Sequence, residues 1–215
     1  MQQEPENILV IERQALGTSD LFQGLNFDIE RYLPLLLDPR QHRFVPRPDA
    51  ENDPALKQLI PYFVICLDDK VWCYRRGGKP GEKRLADRYS LGVGGHINDR
   101  DHDDNGNIYR QAALRELNEE IVVPSDARDT IGALLNDDSN PVGCVHLGVV
   151  HVLMTANAEI EPREETIREA GFKTRAELQI LRPKLETWSQ LVLDGLDELL
   201  NAARESRETG STQGK

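Results

Sequence analysis

The run VGCVHLGVVHVLMTANA, Val142 to Ala158, constrains this chain more than any other stretch. It is dense in β-branched residues, which lose side-chain freedom in a helix and pack well on a pleated surface. It reads as a strand, entered from a hairpin turn at NDDSN. YFVICLDDKVWCYRRG reads as a second hairpin, with Asp68-Asp69-Lys70 as its turn. NILVIERQ (Asn7 to Gln14) and YSLGVGGHI (Tyr89 to Ile97) read as further strands, the latter ending in glycines. The chain must therefore build a sheet.

Helical signals are fewer. DLFQGLNFDIERYLPLLLD has apolar residues at mixed spacing and predicts one short helix. Arg43 to Pro61, rich in proline and acids, predicts an ordered loop with one helical turn. IYRQAALRELNEEIVV, Ile108 to Val123, has helical periodicity and is ended by Pro124. Thr174 to Ala203 predicts a short helix, a break at Pro183, and a long amphipathic helix. Leu185, Trp188, Leu191, Val192, Leu196 and Leu199 face inward on it. Strands, one helix, more strands and closing helices describe a single mixed α/β domain over residues 1–203, with 204–215 a flexible C-terminal tail.

Composition narrows the function. The 215 residues are 39% hydrophobic and 29% charged, as in an ordinary globular protein, with a net charge of −11. Such a surface repels polyphosphate backbones, so no nucleic-acid polymer is expected as partner. A small anion held through a divalent metal remains compatible. No apolar run reaches the length of a membrane span, so no membrane partner is expected. The polar, acidic start MQQEPENILVIERQ is unlike a secretory signal. Cys66, Cys73 and Cys144 are odd in number, widely spaced and set among apolar residues. They read as small buried residues of a cytoplasmic protein.

RELNEE, Arg115 to Glu120, is the chemically distinctive segment. On a helical wheel of roughly 100° per residue, Ala113, Leu114 and Ile121 fall within about 60° of Leu117 and form the buried stripe. Glu116, Glu119 and Glu120 lie together on one flank, and the small Ala112 sits among them. Like charges at this spacing repel by a few tenths of a kcal/mol per pair. No lysine follows at i+4 of Glu116 or Glu119. The alternatives are a solvated acidic face and a seat for Mg2+ or Mn2+, which favour carboxylate oxygens. The helix follows LGVGGHI, in which Gly94 and Gly95 permit close backbone approach. Strand, glycine pair, loop and acidic helix make a layout for holding metal-bound phosphate against backbone amides.

On these residues the chain resembles the Nudix (MutT-like) hydrolase family. That family's box runs glycine, five residues, glutamate, seven residues, then Arg-Glu-apolar-x-Glu-Glu-x-Gly-apolar. RELNEEIVV matches its second half in Arg115, Glu116, Leu117, Glu119, Glu120 and Val123, and Gly95 matches its opening. Counted back from Arg115, the first glutamate falls on Asn107, and residues 99–104 read as a loop insertion. The later glycine falls on Val122, which does not readily take a left-handed helix cap. Asn107 can cap the helix or hydrogen-bond Arg115. GFKTRAEL and LETWSQLVLDGL are similar to the family's closing turn and final helix.

The resemblance implies an α/β/α sandwich with a central mixed sheet. It also implies metal-dependent hydrolysis of a nucleoside diphosphate linked to another moiety, or of a similar pyrophosphate-containing small molecule, by water attack at phosphorus. Glu116, Glu119 and Glu120 would hold Mg2+ or Mn2+, and Arg115 would orient a glutamate. Gly94 and Gly95 would offer backbone to the metal or the phosphate; His96, which follows them, is either a substrate-binding residue that reaches phosphate or a plain strand-end residue. Glu120 is the first candidate for general base, and Glu164 or Glu165, from a later loop, are the others. Homodimers are common in the family.

Other residues carry weaker signals. His146 and His151 lie on opposite faces of one strand. Asp99, Asp101, Asp103 and Asp104 read as a solvated acidic loop or an additional calcium or magnesium contact, and Arg75, Arg76 and Lys79 as a basic group that receives substrate charge or lies on the surface. The competing functions are a non-catalytic Nudix-like binding or regulatory domain, a cysteine-dependent diphosphate isomerase of the same fold, and a scaffold docking through the C-terminal helix.

Overall fold

The structure, a computed structural model, describes residues 6–17, 21–77, 87–101 and 107–211, with side chains through Glu205. Its first elements are β1 (Asn7–Glu12), β2 (Gly24–Asn26), α1 (Ile29–Leu36), β3 (Arg43–Pro46) and the single turn α2 (Arg47–Ala50). The middle of the chain forms β4 (Leu56–Leu67), β5 (Lys70–Arg76), β6 (Tyr89–Ser90), β7 (Val93–Gly94) and α3 (Ile108–Glu120). The rest forms β8 (Arg128–Asn136), β9 (His146–Met154), β10 (Ile167–Lys173), α4 (Arg175–Leu181), α5 (Thr187–Asp194) and α6 (Leu196–Ser211). The strands join one sheet in the order β10-β5-β4-β9-β8-β2, with β1 and β7 also paired to β4, β3 to β1 and β6 to β5. This is the expected mixed α/β architecture around a central sheet. No described helix is long and apolar enough to cross a membrane.

The chain clusters into two compact units. The first comprises residues 1–61, 94–116 and 133–149; the second comprises 62–93, 117–132 and 150–215. In the first, β1 pairs antiparallel with β3 (Ile8 opposite Val45) and with β4 (Ile11 opposite Lys57). Ile8, Val10, Ala50 and Leu56 close a small core, with Val45 packed against it. Lys57 is fully buried. Its ammonium donates to Asp138 Oδ1 at 2.8 Å and to the carbonyls of Gly143 and His146 at 3.1 and 3.2 Å. Burial lowers its pKa. Burial alone would raise the Asp138 carboxyl, but hydrogen bonds from Arg13 and Lys57 hold it down to about 2. This paired charge ties the loop after β8 to the start of β4.

In the second unit, β4 and β5 form the expected hairpin, with Leu67 opposite Lys70. Asp68 turns it at φ 55°, a left-handed conformation that aspartate tolerates. The Trp72 and Tyr74 rings lie 5.2 Å apart, tilted by 36°, and Trp188 meets the Tyr62 ring edge-on at 5.4 Å. Thr174 and Glu177 form a capping box that starts α4.

Several sequence expectations are corrected. RFVP is not loop but β3, and β4 begins at Leu56, six residues before Tyr62, because its polar Lys57 and Gln58 are buried, disguising the strand. Tyr89 to Ile97 is not one strand. It breaks at Leu91-Gly92, where Ser90 Oγ donates to the Gly92 carbonyl and a Cβ at Gly92 would lie 2.4 Å from the Tyr62 ring. Helix α3 stops at Glu120 rather than Val123. Ile121 bridges Pro162, and the Val122 N–H donates to the Glu161 carbonyl at 2.8 Å. Competing strand-like pairing, not Pro124, ends the helix, and no left-handed cap is needed at Val122. Leu114 is 45% exposed, not part of the buried stripe. The long final helix is broken at Gly195 into α5 and α6, and α6 runs past Ala203 to Ser211. Leu185, Val192, Leu196 and Leu199 are buried as expected, while Trp188 and Leu191 are half-buried. With Leu196 and Leu199 each 1% exposed within one chain, the docking-scaffold reading loses its apolar face.

Candidate active site

The Asn107 side chain accepts the Arg110 N–H at 3.0 Å and caps the start of α3. Along the helix, Tyr109, Ala112, Ala113 and Leu117 are buried and fix which face turns inward. Glu116 is half-buried, Glu119 exposed and Glu120 half-buried.

Residues 96–101, before the helix, are wound tightly onto β1. The Leu9 N–H donates to the Ile97 carbonyl at 2.8 Å, and Asn7 Nδ2 donates to Asp99 Oδ2 at 2.9 Å. The Asn98 N–H donates to Asp101 Oδ2 at 2.9 Å. This turn delivers Asp101, 7% exposed, to Arg115. Arg115 Nε and Nη2 donate to the two Asp101 oxygens at 2.6 and 2.7 Å. The same guanidinium donates to the His96 carbonyl at 2.9 Å and to Glu116 Oε1 at 2.7 Å. The Asp101 bond is the main reason the Arg115 pKa is raised far above its ordinary range.

Asp101 is the residue that sequence reasoning misplaced, reading it as part of a solvated acidic insertion. Counted forward from Gly95 with five residues between, the acidic position falls on Asp101; counted back from Arg115 it fell on Asn107. The forward count was the available signal. Asp101 supplies the charge that Asn107 lacks, and the extra residues fall between Asp101 and Asn107. Residues 102–106, including Asp103 and Asp104, lie outside the described residues, as does Lys79.

Gly95 faces the Glu116 carboxylate so closely that a Cβ there would stand 2.3 Å from Oε2 and 2.5 Å from Cδ. The intruding atoms belong to the end of a flexible side chain, so Gly95→Ala should fold while pushing that carboxylate aside. We expect kcat/KM to fall about tenfold to a hundredfold, with a melting temperature close to the parent's. Unchanged kcat/KM would show that the Glu116 position is irrelevant to turnover.

The His96 ring is half-buried and lies among polar partners. His96 Nε2 lies 2.9 Å from Gln58 Oε1 and 3.3 Å from His146 Nε2. The Val142 carbonyl can only accept, so His146 Nδ1 donates to it at 2.6 Å. The neutral pair then shares the His96 proton. Burial, followed by Arg47, His146 and Arg115, lowers the His96 pKa well below its usual 6.5. Burial also lowers that of His146, where Arg47 and Lys57 oppose Glu51. Both rings thus fold uncharged, and the unfolded chain gains protons first as pH falls through about 6.5. Stability should be full above that value and drop below it, by at most about 1.4 kcal/mol per pH unit per ring. Urea unfolding at pH 7.5 and 5.5 measures this, and His96→Gln should flatten the difference. An equal difference in that variant would remove His96 from the account.

The remaining candidates are placed as follows. His151 is buried, with Nδ1 2.8 Å from Asp129 Oδ1 and its ring 4.4 Å from Phe63. Gly94 ends β7, half-buried. The loop bearing Glu164 and Glu165 is anchored on the end of α3. The Arg163 N–H donates to the Glu120 carbonyl at 2.9 Å, and its guanidinium donates to the Asn118 carbonyl at 3.0 Å. Cys66 and Cys73 are buried, and burial pushes both thiols up to about 12, which disfavours either as a thiolate nucleophile of an isomerase.

Glu116, Glu119 and Glu120 are hard oxygen donors suited to Mg2+ or Mn2+. The Gly95 cradle leaves room for one of them beside exposed backbone. Among the described residues, no three carboxylate, imidazole or thiol groups are gathered closely enough to hold an ion, and Glu116 is turned toward Arg115. The donor set therefore fits a divalent cation in chemistry, and its side chains have to converge to bind one.

A sheet strand ending in a glycine pair, a clamped arginine and a glutamate-rich helix define a Nudix-type protein. No family model matches the sequence. Protein YmaB of Bacillus subtilis (strain 168) is 34% identical over 201 residues, covering 89% of this chain and 98% of its own. Among solved structures, Tm1382, provisionally classed as a Nudix hydrolase, aligns with a TM-score of 0.72 at 28% identity, covering 89% of this chain and 98% of its own. DR0079 from Deinococcus radiodurans shares the fold at a TM-score of 0.51 and 18% identity, over 74% of this chain and 94% of its own. The chain belongs to the Nudix hydrolase family.

Proposed function

We propose that the protein hydrolyses a nucleoside diphosphate linked to another moiety, or a similar pyrophosphate-containing small molecule. The observation that carries this is the Arg115 clamp. Asp101, the His96 carbonyl and Glu116 hold one guanidinium, and Glu116 lies against Gly95. Such a scaffold is built to fix one carboxylate beside backbone, which a solvated acidic helix does not need.

In this reading Glu116, Glu119 and Glu120 hold Mg2+ or Mn2+. The bound cation supplies neutralisation of phosphate charge and a lowered pKa for the attacking water. Arg115 orients Glu116. Gly94 and Gly95 present backbone to the phosphate, and His96 serves through the carbonyl that holds Arg115. Glu120 takes the proton of the attacking water, and Glu164 or Glu165 would do so only if their loop supplies the base. The partner is a small phosphate compound rather than a nucleic-acid polymer.

The test is a panel of nucleoside diphosphate derivatives assayed with Mg2+ and with Mn2+. Release of a nucleoside monophosphate or other phosphate product, abolished by chelation, is the expected result. A compound that binds saturably and is never cleaved with either ion would leave a binding or regulatory domain instead.

A further inference from the structure

The second unit holds a concentration of charge that this reading does not use. β5 and β6 pair with Arg75 opposite Tyr89. Tyr89 in turn bridges Leu185, and the Glu186 N–H donates to the Tyr89 carbonyl at 3.0 Å. This register sets Arg75, Arg88 and Lys184 around one cleft of about 360 Å3, lined also by Asp87 and Tyr89. In a chain of net charge −11, three cations and one carboxylate line this cleft, with the Glu169 carboxylate paired to Arg75 beside them, which still leaves an excess of positive charge.

These cations have bonding capacity left. Lys184 is exposed and, among the described residues, has no carboxylate within ion-pair distance. The Arg88 guanidinium donates to the Pro183 carbonyl at 3.0 Å, which fixes it without compensating its charge. Arg75 reaches Glu169 at 3.2 Å, but that carboxylate also accepts the Tyr89 hydroxyl at 2.7 Å. The Arg75 Nε–H is covered and has no acceptor. Asp87 Oδ1 stands 3.9 Å from it, too far for a hydrogen bond. Like charges around one cavity repel, and an anion seated among them converts repulsion into attraction. Arginine forks match the oxygens of phosphate in particular. The volume lies at the lower end of small-ligand pockets.

We propose that the Arg75–Arg88–Lys184 cleft binds a phosphate or diphosphate group. The group belongs either to a remote part of the substrate or to a separate phosphorylated small molecule. The proposal goes beyond the hydrolytic reading and does not depend on it.

Calorimetric titration with inorganic pyrophosphate, in the presence of a chelator, tests it without any metal at the glutamates. Saturable binding is expected, weakened at least tenfold in Arg88→Ala/Lys184→Ala, whose side chains are exposed and whose loss should not disturb folding. Arg100→Ala, an exposed arginine outside the cleft, should bind as the parent does. Absence of saturable binding, equal affinity in the double variant, or equal loss in Arg100→Ala would overturn it. Where a substrate is known, a raised KM with unchanged kcat in the double variant assigns the cleft to the substrate's remote phosphate. An unchanged KM with pyrophosphate binding lost assigns it to a separate ligand.

Discussion

Glu120→Gln should lower kcat/KM by about 10² to 10⁴ while leaving the fold intact, the range expected for removing a general base. The residue closes α3, half-exposed, and its backbone carbonyl accepts the Arg163 N–H. Glutamine keeps the side-chain shape and removes the charge. Glu119, exposed one position earlier, should behave differently if its part is to hold the cation. Glu119→Gln would then raise the Mg2+ concentration needed for half-maximal rate more than it lowers the saturated rate. Glu164→Gln and Glu165→Gln supply the contrast. Glu164 accepts the Thr166 hydroxyl at 2.8 Å, so its carboxylate already has a local partner. Circular dichroism and urea midpoints should match the parent for all four variants. If Glu120→Gln keeps its rate while either loop variant loses it, the base belongs to the loop.

Much of this was readable along the chain, and what was not has a physical cause in each case. Local periodicity located α3 because Ala113, Leu117 and Ile121 share a face. It misjudged Leu114, which sits at the stripe's margin, where burial depends on what packs opposite. The helix end was misread because Val122 and Ile121 find partners in residues 161–162, a pairing invisible to neighbours in sequence. β10 escaped notice because IREAGFK is polar on its exposed positions and interrupted by a bulge, with Glu169 at φ 49°. Lys57 and Gln58 hid the start of β4, since burying an ammonium makes sense only once Asp138 and two carbonyls are known to meet it. In the candidate site, the glutamates and glycines stood out by type and spacing, as proposals. Asp101 did not, because a loop of variable length lets a motif be counted from either end.

Asp101→Asn should then be the most informative change in the scaffold. Asp101 is 5% exposed in its side chain and Arg115 29%, so the pair is largely desolvated. Asparagine keeps one oxygen but turns an amide N–H2 toward a guanidinium that can only donate. It also loses the carboxylate that accepts the Asn98 N–H and shapes the turn. Removing one partner of a buried pair costs about 3–5 kcal/mol; with Arg115 near one-third exposed, about 2 kcal/mol is the fitting expectation. The functional effect should exceed what that loss of stability explains. With Asp101 neutral, Glu116 remains a charged partner of the guanidinium, at 2.7 Å. Arg115 would then hold the Glu116 carboxylate more tightly, in competition with a cation. The Mg2+ concentration for half-maximal rate should rise about tenfold or more, equivalent to about 1.4 kcal/mol, with a smaller change in the saturated rate. Asp101→Glu restores the charge on a longer arm and should recover part of both losses. A urea midpoint and a Mg2+ dependence both indistinguishable from the parent's would mean that Arg115 is held in place by something other than Asp101.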